Sequence, residues 1–235
     1  MIRHIAGLAA VCSLAACAAP ASTIPAGHMS ASAEQQAAAE HERAAGVLEA
    51  QALSNPTPTR CGPLVAGEPE QICWSVPRLS DAAVADLQRA SAQRDAAAEH
   101  RRTSAALVAA EARACVGVSE ADMAESPFAH RADIVAVDVI EGSGSDGAVR
   151  PLGARVRFHE VGHLTAAALQ HLVDCHIARD DALGHDVPEM GYCPLVPRGA
   201  TATVEVIPHG YIVEIRSNDP AGAREIARRA TALLP

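Results

Sequence analysis

The sequence predicts an α+β fold, in which an N-terminal helical hairpin is followed by a small ββαββα domain. Two observations predict it. Residues 33–53 and 80–115 are rich in helix-forming residues and contain no proline, and Pro56 and Pro58 end the first of these segments. Beyond residue 131, two apolar alternating runs and a helix-forming stretch occur twice in succession, which is typical of two helices packed on one antiparallel sheet.

The first 16 residues have a short basic start, an apolar run and then small residues, the layout of a secretory signal. The apolar run is shorter than the roughly 20 residues that a membrane-spanning helix needs. Leu14-Ala15-Ala16-Cys17 resembles the lipobox of bacterial lipoproteins. That resemblance implies cleavage before Cys17, lipids on Cys17, and sorting to the outer membrane because the next residue is not Asp. The alternative is an ordinary signal peptide cut near Ala19 or Ala21.

Residues 17–32 are small, uncharged and contain proline, and they predict a flexible tether between the lipid anchor and the rest of the chain. Removing residues 1–16 leaves 18 arginines against 28 acidic residues, a net charge of −10. This charge disfavours nucleic acid as a partner. We therefore expect the membrane to be reached through the lipid alone.

Five cysteines follow Cys17, and export predicts a compartment in which disulfides persist. Cys61 and Cys73 flank a Gly/Pro-rich loop, CGPLVAGEPEQIC, and are expected to pair. A Cys175–Cys193 disulfide is the simplest second pair, and it would leave Cys115 as the odd thiol.

The helical hairpin comprises residues 33–117, with Ser80 as the N-cap of its second helix. Apolar residues form a thin stripe on that helix at Val84, Leu87, Leu107 and Val108, with alanines between them. His41 and His100 are expected at the surface. An alanine-rich face with many charges fits either a solvated helical pair or a coil that binds a protein partner.

The α+β domain is predicted to cover residues 131–235. Its elements are given by alternation and by caps: strands at 133–140, 154–159, 203–207 and 211–216, a helix capped by Thr165, and a last helix capped by Asp219 with Pro220 in its first turn. Ala223, Ile226, Ala230 and Leu233 form the predicted buried stripe of the last helix.

The stretch from residue 171 to residue 193 carries the side chains of a possible soft-metal site. His171 and Cys175 lie four residues apart on one helix, and the following loop offers His185, Met190 and Cys193. Imidazole, thioether and thiolate together suit Cu or Zn. This metal site competes with the Cys175–Cys193 disulfide for the same thiols. His176 is interpreted as a buried core histidine.

A second candidate is HEVGH at 159–163, which resembles the HExxH motif of zinc metalloproteases. The resemblance implies His159 and His163 as zinc ligands and Glu160 as general base, and it requires a helix. The alternation that ends at Phe158 favours a strand and a turn instead.

The sequence therefore predicts an envelope lipoprotein with a non-catalytic binding or structural role. That role includes the possible binding of a soft metal ion. A zinc hydrolase and a structural adaptor that binds protein through the alanine-rich helices are the alternatives.

Overall fold

The computed structural model describes residues 30–54, 59–63, 71–75, 79–143, 147–162 and 164–234. The predicted signal peptide, the lipidation site Cys17, nearly all of the predicted tether and His163 lie outside these residues. The elements of the described chain confirm the α+β class, with an N-terminal helical hairpin and a ββαββα arrangement after it. Within this part of the chain, no helix is both long enough and apolar enough to cross a bilayer.

The helical hairpin consists of α1 (Ala31–Ser54) and α2 (Asp81–Ala114). Ser80 caps α2 as predicted, since its side chain accepts a hydrogen bond from the amide of Ala83. Between the helices lie two short paired strands, β1 (Thr59–Pro63) and β2 (Gln71–Ser75). Cys61 and Cys73 face each other across this ladder and form the predicted disulfide.

Small residues repeated every seven positions form the contact between α1 and α2. The Ser104 hydroxyl donates a hydrogen bond of 2.8 Å to the carbonyl of Ala31, which sets the register of the two antiparallel helices. Steps of seven residues then bring together three pairs of buried alanines: Ala38 with Ala97, Ala45 with Ala90, and Ala52 with Ala83. A heptad period keeps one seam facing the partner helix, and small side chains allow the backbones to approach closely.

The predicted stripe of larger residues on α2 is wrong in three of its four members. Leu107 is buried, but Val84, Leu87 and Val108 are exposed. The prediction failed because it ranked residues by size, whereas the contact selects small side chains. The buried alanines of α1 and α2 pack against each other and are not available to a protein partner. Such a partner would contact the charged outer faces of the hairpin.

The domain contains a four-stranded antiparallel sheet in the order β3-β4-β6-β5. Its helices α4 and α5 pack on one face, and a short helix, α3 (Glu120–Ala124), precedes it. The bounds are β3 Ile134–Ser143, β4 Val149–His159, α4 Ala166–Ala182, β5 Ala200–Ile207, β6 Gly210–Ser217 and α5 Pro220–Thr231. Thr165 and Asp219 cap α4 and α5 as predicted.

One face of the sheet forms the core. Val156 pairs with Val213, and Phe158 with Tyr211, so these side chains point the same way. The helices cover them with Leu169 from α4 and with the predicted stripe of α5, all of which is buried. The opposite face is charged and exposed to solvent, with Arg155 bonded to Glu214 and Arg157 to Asp138.

The second disulfide joins Cys115 to Cys175, so the predicted Cys175–Cys193 pair is wrong. Cys115 ends α2, and Cys175 lies on the side of α4 that packs against α2. Cys193 instead lies in the sheet–helix core and is the free thiol among the described cysteines. Proximity in sequence favoured the 175–193 pair, but the two thiols belong to different packing faces. The disulfide fastens the helical hairpin to the domain.

Candidate functional site

The five predicted metal ligands are not assembled into a site. Cys175 is consumed by the disulfide, and His171 is exposed on α4. The Cys193 thiol is buried 3.1 Å from the hydroxyl of Ser126, and burial raises its pKa to about 11. A thiol that resists ionisation is a poor metal ligand, because thiolate is the binding form.

The remaining two candidates are held by other contacts. His185 Nδ1 donates to the carbonyl of Val196 at 2.8 Å, and its Nε2 lies 3.2 Å from Asp181 Oδ1. Met190 is buried in the core. Across the described residues, no group of three or more His, Cys, Asp or Glu side chains is arranged to hold a metal ion.

The described residues of HEVGH do not form a helix. His159 is the last residue of β4, and the amide of Glu160 donates to the carbonyl of His209 at 3.0 Å. Gly162 lies in a turn, and His163 is outside the described residues. Because the motif brings its histidines together through one helical turn, this backbone does not supply the expected geometry.

The strongest candidate site is a cleft of about 450 Å³ between α3, the end of β4 and the start of α4. Its floor is apolar, formed by Phe158, Val161, Leu164, Leu169 and Leu172. Asp122, Glu125, His130 and Asp133 also line the cleft, and we call these four polar residues its rim. We call this site the α3–α4 cleft. Its volume lies in the range of about 300–1,000 Å³ that is typical of small-molecule sites.

Buried side chains of α4 hold α3 in place as one wall of the cleft. His176 Nε2 donates to the carbonyl of Asp122 at 3.0 Å, and Arg179 donates to the carbonyl of Met123. Burial lowers the pKa of His176, which favours the neutral imidazole in the core as predicted. Arg179 Nε also lies 3.2 Å from Glu111 of α2, so the same residue links the cleft wall to the helical hairpin.

The rim carries three carboxylates and one imidazole. Asp133 Oδ1 lies 3.1 Å from Nε2 of His159, and Asp122 accepts a hydrogen bond of 2.7 Å from the Ser119 hydroxyl. His130 lies 3.9 Å from Glu125, at the edge of ion-pair distance. None of the described residues that line the cleft is an arginine.

Asp180 is a further unusual group, on the side of α4 that faces the interior. Its side chain is buried, and Oδ2 has no hydrogen-bond partner in the described part of the chain. Burial raises the pKa of Asp180 to about 7, against the opposing influence of Arg179. The carboxyl is therefore partly protonated near neutral pH.

A second cavity of about 410 Å³ lies on another side of α3, against the start of α1. Ser30, Glu111 and Arg179 contribute to its lining. Since Glu111 and Arg179 already pair with each other, the α3–α4 cleft is the better candidate for recognising a ligand.

This cleft was not predicted from the sequence. A signal was present, since Glu120, Asp122, Glu125 and Asp133 crowd the segment between α2 and β3. Their meeting with the leucines of α4 depends on the packing of α3 on α4 through His176 and Arg179, which the sequence did not reveal.

Comparison of the chain with family models, with curated proteins and with solved structures gives no match.

Proposed function

We propose that the protein is a bacterial envelope lipoprotein, anchored through lipids on Cys17, that binds a small ligand in the α3–α4 cleft without transforming it. The lipobox-like sequence ending at Cys17 supports the anchor. The observation that carries the binding role is the cleft itself, an apolar floor with a few convergent polar groups.

The lining of the cleft argues against catalysis through a hydroxyl, thiol or amine nucleophile. Among its described residues there is no Ser, Thr, Cys, Lys or Tyr that would serve as a nucleophile. The acids and the imidazole of the rim are groups that orient and hold a ligand.

The position of the first described residues supports a cleft close to the membrane. α1 begins at Ala31, which is bonded to Ser104 and lies beside the cavity that Arg179 lines, so the tether enters next to the domain. A chain from residue 18 to residue 30 reaches at most about 45 Å when fully extended. The 34-residue α2 is about 51 Å long. The helical hairpin is therefore an arm that projects from the junction, rather than a stalk between anchor and domain.

Lipidation is tested with the full chain expressed in a bacterial envelope. Cys17→Ser should abolish the mass added by the lipids and release the protein from the membrane fraction, whereas the matched Cys12→Ser change within the signal should leave both unchanged. If the Cys17→Ser protein stayed attached to the membrane as the parent protein does, the proposed lipid anchor would be refuted.

Cleft binding is tested by screening a library of small fragments against the ¹⁵N-labelled full chain in non-ionic detergent. We expect the amide shifts caused by hits to concentrate in α3 and at the start of α4. Hits that map elsewhere, or none at all, would contradict the proposed site.

A further inference from the structure

We propose that the ligand of the α3–α4 cleft is a small amphipathic cation, with an ammonium or guanidinium group at the rim and an apolar body on the floor. This inference rests on the proposed function and adds the chemical class of the ligand. Two properties of the cleft carry it: the side chains of its floor and the charge of its rim.

The floor offers apolar surface that is still partly open. Leu169 and Phe158 are buried and belong to the core, so they hold the floor rigid. Val161, Leu164 and Leu172 are only half-buried and also line the cleft. An apolar ligand body would complete their burial, which is the favourable term for binding.

The rim is acidic, and the described partners of its carboxylates are a neutral hydroxyl and two imidazoles. The contacts described above give Asp122 a hydroxyl, Glu125 a distant imidazole and Asp133 the imidazole of His159. Arg131 is next to His130 in sequence, but it does not line the cleft. Among the residues that the structure describes, a ligand cation would therefore meet three carboxylates without competition from a lining guanidinium.

The same rim disfavours anionic ligands, because an incoming carboxylate or phosphate would face like charges. Sugars are disfavoured on other grounds. Phe158, the aromatic residue of the lining, is buried and packs edge-on against Phe128 at 5.5 Å, so its face is not a stacking platform.

The test uses three probes of matched shape: 4-phenylbutylammonium, 4-phenylbutanol and 4-phenylbutyrate. Each is titrated into the ¹⁵N-labelled full chain at pH 8, where an ordinary imidazole is uncharged. Amide shifts in α3 and α4 give the site and the affinity together. We expect the ammonium to bind the cleft about tenfold more tightly than the carboxylate, as expected for several partly exposed carboxylates acting together.

Two variants locate the origin of this preference. Glu125→Gln combined with Asp133→Asn should reduce the ratio of ammonium to carboxylate affinity to less than half of its value. Leu172→Trp should weaken the binding of all three probes by filling the cleft. Glu189→Gln, an exposed carboxylate outside the lining, is the matched control and should change nothing. Glu125→Gln alone serves if the double variant loses its native spectrum, since Glu125 is exposed.

Equal binding of ammonium and carboxylate in the cleft would overturn the inference about charge and leave the proposed function intact. Failure of the ammonium to shift the cleft amides would also overturn the inference. If no fragment in the screen shifted the cleft amides either, the proposed binding function would also be refuted.

Discussion

Asp180 combines a buried side chain with a pKa of about 7, against an ordinary value of 3.8. Between these two pH values the unfolded chain has released the proton while the folded chain still holds it. Stability due to this group is therefore fully present below about pH 4 and is lost as the pH rises towards 7. The loss is on the order of 4 kcal/mol when complete.

Asp180→Asn removes this titration while keeping the shape of the side chain. We expect the variant to gain stability relative to the parent protein as the pH rises from 5 to 8, measured as the difference in Tm at each pH. Asp186→Asn, at an exposed position in the following loop, is the control and should show a constant difference. A constant difference for Asp180→Asn would show that its carboxyl titrates normally.

The free thiol gives a second prediction at the scale of single residues. Cys193 is buried with a pKa of about 11, so the native protein should resist alkylation there. After denaturation without reductant, peptide mapping should find the label on Cys193 and none on Cys115. Label on Cys115 and none on Cys193 would instead support the Cys175–Cys193 disulfide that the sequence predicted.

Single residues also show where sequence reasoning stops. Ser80, Thr165 and Asp219 were identified as caps because capping is a local interaction within four residues. The partner of Cys175 lies 60 residues away and is selected by the packing of α2 on α4. No pattern along the chain encodes that contact, and the same holds for the packing of α3 on α4 that forms the cleft.

At the scale of elements, the helical hairpin depends on alanine where most helix pairs use larger residues. Ala45 is fully buried at the seam, whereas Ala50 on the same helix is exposed. Ala45→Leu should destabilise the hairpin by about 1–3 kcal/mol because the close-packed backbones have no room for the added carbons. Ala50→Leu, with the same change in composition, should stay within about 0.5 kcal/mol of the parent protein in denaturant titrations. Equal effects would argue against a close alanine seam.

The edge of the sheet at β5 is protected by a side chain of α4. Gln170 Oε1 accepts from the amide of Val204 at 2.7 Å, and its Nε2 donates to the carbonyl of Ala202 at 3.1 Å. The amide thus imitates a neighbouring strand, and exposed strand edges are sites of unwanted pairing.

Gln170→Ala should therefore speed hydrogen exchange of the Val204 amide. Gln170→Glu is the matched variant, because it keeps the acceptor at Val204, although it loses the donor and places a second carboxylate beside Asp174. It should retain part of the protection at Val204. Unchanged exchange in Gln170→Ala would mean that the edge amide is protected by something other than Gln170.

At the scale of the whole molecule, the arm and the cleft meet at the Cys115–Cys175 disulfide but should be independent in function. The arm repeats its contacts every seven residues: Glu42 pairs with Arg101 and Glu49 pairs with Arg94. Deleting residues 46–52 and 83–89 removes one heptad from each helix. The existing pair Ala45 and Ala90 then lies at the shortened end, so the remaining alanine contacts keep their register.

We expect this paired deletion to shorten the arm by about 10 Å and to leave the domain spectrum and the binding of 4-phenylbutylammonium unchanged. Deleting 46–52 alone should destabilise the hairpin, because the unmatched helix then leaves one heptad of seam exposed to water. If the paired deletion weakened cleft binding, the arm would be part of the recognition site. If it leaves the cleft intact but impairs the protein in its proposed place in the envelope, the length of the arm matters for reach, and the two ends of the molecule have separate tasks.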